Sequence, residues 1–166
     1  MMEKSLAQWE QIQQVLIQID QIDREYIENV VYDYMITQIY AEMEETIESC
    51  FKFYLTSNNL LTNNYLKQQK KIHRGLGISN LTEVFHALQI LDKGETFISP
   101  DIQDIHDKFL NIRHKLTHTA HTERSTDIKI NVIIDNCSKI LDKILQLFTD
   151  FHAQQFDSQI QNLESR

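Results

Sequence analysis

Only three glycines, one proline and two cysteines occur among the 166 residues. With so few helix breakers, abundant Gln, Ile and Leu, and apolar residues recurring three and four positions apart, the chain is predicted to be helical throughout. The two cysteines, Cys50 and Cys137, have no CxxC-type spacing and sit within apolar helical patterns. They read as small core hydrophobes, not as a disulfide or zinc ligands, which suits a reducing cytoplasm. No run of 18 apolar residues occurs, and the opening "MMEKSLAQWEQIQQ" is too polar for a signal segment. A soluble, cytoplasmic protein without a membrane span is expected. The length fits one domain with one core, residues 1–166, with a frayed tail over 157–166.

Positive charge is also short overall, at 16 Lys and Arg against 24 Asp and Glu. A net charge of −8 argues against a protein that coats nucleic acid generally, and no DNA partner is expected. The deficit is uneven. Residues 1–50 carry eleven acidic and two basic side chains, whereas residues 51–130 carry eight acidic and eleven basic. A polyanion would therefore meet the middle of the chain. Its densest basic run is "KQQKKIHR" (67–74), and "RHK" (113–115) is the second.

Ser5 with Gln8 reads as a capping box, followed by a stripe of Leu6, Trp9, Ile12, Leu16, Ile19 and Ile22. A second long helix is expected from about 24 to 56, capped at Asp20 or Asp23, because an unbroken rod from 5 to 56 would outgrow a domain of this size. "TSNNLLTNN" (56–64) and "RGLG" (74–77) interrupt the pattern. Asn80 with Glu83 reads as a capping box for a short helix through Leu91, ended by "DKGE" (92–95). Ser99-Pro100 then starts another helix, with Asp101 in its first turn and a stripe of Ile102, Ile105, Phe109, Ile112 and Leu116. Residues 119–127 are turn-like, and a last helix is expected from Ile128 to Phe156. The whole predicts an all-α, up-and-down helical bundle with short helices inserted before the helix that ends in "NIRHKLTHTAH" (111–121).

That segment gathers three histidines and one of only five arginines. Three readings compete for it. His114, His118 and His121 are four and three apart and suit one metal ion, although no fourth ligand among Asp104, His106 and Asp107 completes a recognisable pattern. The residues also suit a merely basic, solvated helix end, where positive charge meets the negative end of the helix dipole. The third reading pairs Arg113 with His118. A planar guanidinium suits phosphate, and an imidazole moves protons near neutral pH. Metal-free RNA cleavage needs both, because the 2′-OH must lose a proton while charge builds on the phosphorane. Five residues along a helix turn through about 500°, so the two side chains diverge by about 140°. Two copies facing each other across a two-fold axis would build one composite site, which makes a homodimer part of the chemistry.

"RHKLTH" (113–118) resembles the motif of the HEPN superfamily, helical-bundle proteins. Its ribonuclease members carry Arg, a polar residue, three variable residues and His near the end of an inner helix. "YAEMEETIESCFKFYL" (40–55) is similar to the acidic and apolar signature of the second long helix in prokaryotic HEPN families of defence and toxin systems. The resemblance spans roughly residues 25–155. It implies a metal-independent endoribonuclease without cofactor, in which Arg113 stabilises the scissile phosphate, His118 is acid or base, and His114 is an auxiliary polar group where many relatives have Asn. It also implies that Glu44 orients Arg113 or His118, with Glu45 or Glu48 as the counterpart in another register. Lys115, Lys67, Lys70, Lys71 and Arg74 would hold the RNA backbone. A toxin or antiviral effector of this kind needs restraint, so a separately encoded antitoxin or regulatory protein is expected as a partner. Two alternatives stand beside it: a non-catalytic HEPN module that binds nucleotide, RNA or protein, and a His-cluster metalloprotein.

Overall fold

The computed structural model describes residues 2–18, 21–57, 75–118 and 128–164. These form five helices and no strand: α1 (Glu3–Leu16), α2 (Gln21–Ser57), α3 (Ile78–Ala87), α4 (Pro100–His118) and α5 (Ile130–Glu164). The all-α expectation holds, and the arrangement is that of a helical bundle. No helix among the described residues is long and apolar enough to cross a membrane.

Helix α2 is the centre of the packing and meets α1, α4 and α5. Its residues Met35, Ile36, Ile39, Met43, Ile47 and Phe51 recur every three or four positions, so one face is wholly buried. Helix α5 answers with Ile133, Ile140, Ile144 and Phe148, all fully buried. At the far end, Phe51 stacks on Phe85 of α3 at 5.7 Å, and Phe148 meets Phe51 edge-on at 4.9 Å. Edge-on and offset ring pairs add about 0.5–1.5 kcal/mol each beyond burial. Cys137 is buried among these groups, and loss of water pushes its thiol up to about 12. Half-buried Cys50 is shifted upward for the same reason. Both cysteines are free, so the small-hydrophobe reading holds.

The unbroken rod from 5 to 56 does not form, since α1 ends at Leu16 and folds back along α2. The Ser5–Gln8 capping box does not form either. Helix α1 begins at Glu3, and the carboxylate of Glu42 on α2 accepts from the backbone N–H of Lys4 (3.2 Å), the backbone N–H of Ser5 (2.9 Å) and the Ser5 hydroxyl. The negative cap thus comes from a neighbouring helix and fastens the two together. Gln8 is left free to donate to the Tyr34 hydroxyl at 2.7 Å.

The Asn80–Glu83 box is likewise replaced. Helix α3 starts three residues earlier, with extended Gly77 as its N-cap, and Asn80 Nδ2 instead donates back to the Gly75 carbonyl at 2.8 Å. The helix also stops at Ala87, short of Leu91. Gln89 adopts φ 59°, its N–H donates to the His86 carbonyl, and the Ile90 N–H donates to the Phe85 carbonyl at 2.9 Å. This is a Schellman stop with glutamine in the left-handed position that glycine usually fills. Helix α4 begins at Pro100 as expected, with Asp101 pulled below the usual carboxylate range chiefly by the Ser99 side chain. Helix α5 runs past Phe156 to Glu164, because "QQFDSQIQNLE" contains neither glycine nor proline.

A side chain at φ 59° carries strain that glycine lacks, of about 1 kcal/mol. Gln89→Gly is therefore expected to raise stability by up to about 0.5 kcal/mol, after the greater freedom of glycine in the unfolded chain is offset. Urea unfolding at neutral pH measures this, and a destabilised variant would contradict the left-handed stop.

Candidate functional site

Helix α4 presents Ile102, His106, Phe109 and Arg113 at intervals of four, three and four, which is one face of a helix. His106 and Phe109 are buried, Ile102 is half-buried, and the face points into the core. The expected stripe through Ile105, Ile112 and Leu116 lies to one side and is only partly buried. A histidine and an arginine thus occupy the positions of the inner seam.

His106 was a distant candidate for metal ligation, and its surroundings exclude that. Its Nε2 lies 2.8 Å from the Leu76 carbonyl oxygen. A carbonyl only accepts, so the proton is on Nε2, and Nδ1 is left buried without a partner. Burial is the main reason its pKa falls below 6.5, against smaller upward pulls from the Leu76 bond and the charge of Asp107. The imidazole is a neutral pin between α4 and the segment entering α3.

Arg113, one turn beyond Phe109, extends the same seam to where it meets solvent. Its Cζ lies 4.2 Å from the centre of the Tyr40 ring on α2. That ring in turn leans on Phe109, at 6.5 Å between centres and 44°. Tyr40 is a wedge, with Phe109 toward the core and the guanidinium toward water. A cation over an aromatic face contributes about 0.5–1 kcal/mol at such a partly exposed site and fixes the plane of the fork.

Glu44 stands one turn after Tyr40. The Tyr40 phenol is raised above 10.0, first by burial, then by the negative charge of Glu44, against a lowering by Arg113. The phenol therefore keeps its proton at neutral pH. Among the described residues Arg113 forms no ion pair with a carboxylate, so Glu44 reaches it only through Tyr40 and by its charge. Glu45 is exposed and 3.9 Å from Lys4 Nζ, on the α1 side, and Glu48 is a further turn away. Tyr40 is the residue that sequence reasoning missed, although it heads the quoted acidic segment and its spacing to Glu44 is that of one helical turn.

His114 and His118 are exposed on the adjoining side of α4, with ring centres 4.5 Å apart and planes at 50°. The helix is continuous through His118, and Thr117 Oγ1 closes its last turn by donating to the His114 carbonyl at 2.9 Å. Within one chain Arg113 therefore goes to Tyr40 while His118 goes to His114. The divergence expected from the five-residue spacing is not relieved by any tightening of the helix. Lys115 is exposed on the same turn. Lys67, Lys70, Lys71, Arg74 and His121 lie outside the described residues. No group of three or more His, Cys, Asp or Glu side chains suited to a metal occurs among the described residues.

No protein-family model matches the sequence, and neither the curated proteins nor the solved structures contain a significant match.

Two outcomes follow from this geometry. Because the folded His106 resists protonation more than the unfolded chain does, its stabilisation is present above about pH 6.5 and is lost as pH falls below that value. His106→Gln keeps an N–H for Leu76 but cannot titrate, so the wild type should lose more stability than the variant between pH 7.5 and 5.5 in thermal melts. Equal slopes would show that His106 is not held neutral. For Tyr40, replacement by Phe keeps the ring under Arg113, whereas Tyr40→Leu removes it. In urea unfolding the second variant should be less stable than the first by at least about 0.5–1 kcal/mol, and equal stabilities would show that the ring does not hold Arg113.

Proposed function

We propose that the chain is a metal-independent endoribonuclease of the HEPN type that works as a homodimer. The observation that carries this reading is the guanidinium of Arg113, fixed face-on by Tyr40 at the rim of the bundle, with the exposed imidazoles of His114 and His118 on the next face of the same turn. Fixed planar charge and an accessible proton carrier are the two groups that phosphodiester transfer requires.

In this mechanism the N–H edges of Arg113 hold the non-bridging phosphate oxygens. One His118 imidazole, neutral, takes the proton of the ribose 2′-OH as its oxygen attacks phosphorus. The His118 of the second copy, protonated, gives its proton to the departing 5′-oxygen. A new 2′-O–P bond forms, the P–O5′ bond breaks, and the products are a 2′,3′-cyclic phosphate and a 5′-hydroxyl. The two-fold pair supplies the base and the acid that one chain cannot bring to one phosphate, since Arg113 and His118 leave α4 on different sides. His114 supports His118, and Glu44 sets the charge around Tyr40 and so the seat of Arg113. Lys115, with Lys67, Lys70, Lys71 and Arg74, carries the RNA backbone.

An enzyme of this kind that cuts cellular RNA in the cytoplasm would serve as a toxin or antiviral effector, restrained by a separately encoded partner. The divergence of Arg113 and His118 favours one rival, a binding module in which Arg113 anchors a phosphate and no proton moves.

Expression of the wild type beside Arg113→Ala and His118→Ala separates the two. Growth arrest and RNA cleavage are expected in the wild type and insensitive to chelator. Loss of the arginine should cost about 10²–10³ in rate and loss of the imidazole about 10²–10⁴. RNA that is bound but never cut by the wild type would establish the rival instead.

A further inference from the structure

The two exposed imidazoles have a second chemical capacity. His114 and His118 are four residues apart on an unbroken helix, so their Cβ atoms lie over one another on one face. Among the described residues neither ring has a hydrogen-bond or ion-pair partner, and their 50° tilt is neither a face-to-face stack nor an edge-on contact. A divalent ion about 2.0–2.1 Å from an imidazole nitrogen lies about 3.2 Å from the centre of that ring. Two rings that meet one ion at 90–110° then have centres about 4.5–5.2 Å apart. The observed separation is 4.5 Å. His118 also sits in the final turn of α4, where the unpaired carbonyls of the helix end favour positive charge, with His114 one turn before it. The Arg113 head is turned away over Tyr40 and does not occupy the space between the rings.

We infer that His114 and His118 form a two-imidazole chelate for a borderline divalent transition ion, Ni²⁺, Cu²⁺ or Zn²⁺, and that filling it shuts off the RNA cleavage. Imidazole nitrogen suits these ions, whereas Mg²⁺ and Ca²⁺ demand oxygen donors. The ion needs both rings neutral and spends the lone pair of His118 on coordination, so His118 can neither accept nor deliver a proton while the ion is bound. The metal is thus an inhibitor of a reaction that does not use metal. This consequence depends on the ribonuclease reading, but the chelate itself does not.

Titration of the full-length chain with NiCl₂ at pH 7.5, followed by calorimetry, tests the site. One ion per chain is expected, with affinity lowered about tenfold or more in His114→Gln and equally in His118→Gln, because each removes one of two linked arms. His86→Gln, His152→Gln and His121→Gln should leave it unchanged. Both altered histidines of the pair are exposed, and far-UV circular dichroism checks that the helices persist. Undiminished binding in either variant of the pair, or an equal loss in His121→Gln, would overturn the two-imidazole chelate. In parallel, cleavage of single-stranded RNA should fall in step with Ni²⁺ occupancy and return on adding EDTA. Cleavage that persists at saturating Ni²⁺ would overturn the inhibition while leaving the ribonuclease intact. A chain that binds Ni²⁺ through the pair yet never cuts RNA would sink the ribonuclease reading and with it the inhibition, and leave the chelate standing.

Discussion

Everything at the proposed site depends on where the buried seam of α4 runs out. Ile102, His106, Phe109 and Arg113 share one helical face, and the first three are closed off by α2, α3 and α5. The fourth falls at the rim. An arginine there keeps its aliphatic stem against the core and its charge in water, and Tyr40 of α2 supplies a flat surface that determines how the charge is presented. The packing of α2 against α4 thus sets the plane of the guanidinium. Any shift between these helices would move the arginine before it moved anything else in the site, because the ring is held from behind by Phe109.

The fold was legible in the sequence because helical period is a local property. Proline after serine marked the start of α4, and the apolar spacing of α2 and α5 marked their buried faces. What failed to read correctly was settled by hydrogen bonds that the local pattern does not announce. A capping box at Ser5 is a sound local inference, but Glu42 reaches the same backbone N–H groups from another helix with a full negative charge and displaces it. Asn80 is drawn back to Gly75, and Gln89 takes a left-handed conformation with no glycine to announce it. At Ser5 a contact from another helix, and at Asn80 and Gln89 hydrogen bonds three to five residues away, outweigh a preference of about 1 kcal/mol, which is the size of the local signals themselves.

The candidate site divides along the same line. Arg113, His114 and His118 were identifiable by residue type and spacing, and Glu44 by its place in the second long helix. Tyr40 was not, since an aromatic residue in an amphipathic helix reads as core until the arginine above it is seen. His106 misled in the opposite sense. Its type suggested chemistry, yet its environment keeps it neutral and spends its only donor on a backbone carbonyl. The same side chain is a structural pin at one turn of α4 and a solvent-exposed group two turns later at His114, and burial separates the two settings.

The straightness of α4 also sets what one chain can do. A helix that broke between Arg113 and His118 would let both groups close on one phosphate; an unbroken one separates them and pairs His118 with His114 instead. Under the proposed function the first arrangement would make a self-sufficient active site, whereas the second would make half of one together with a bidentate nitrogen donor. Proton transfer and metal coordination then compete for the same lone pair on His118. In the proposed reading, an unbroken last turn in α4 would therefore tie catalysis by a pair of chains and sensitivity to metal to one geometric cause.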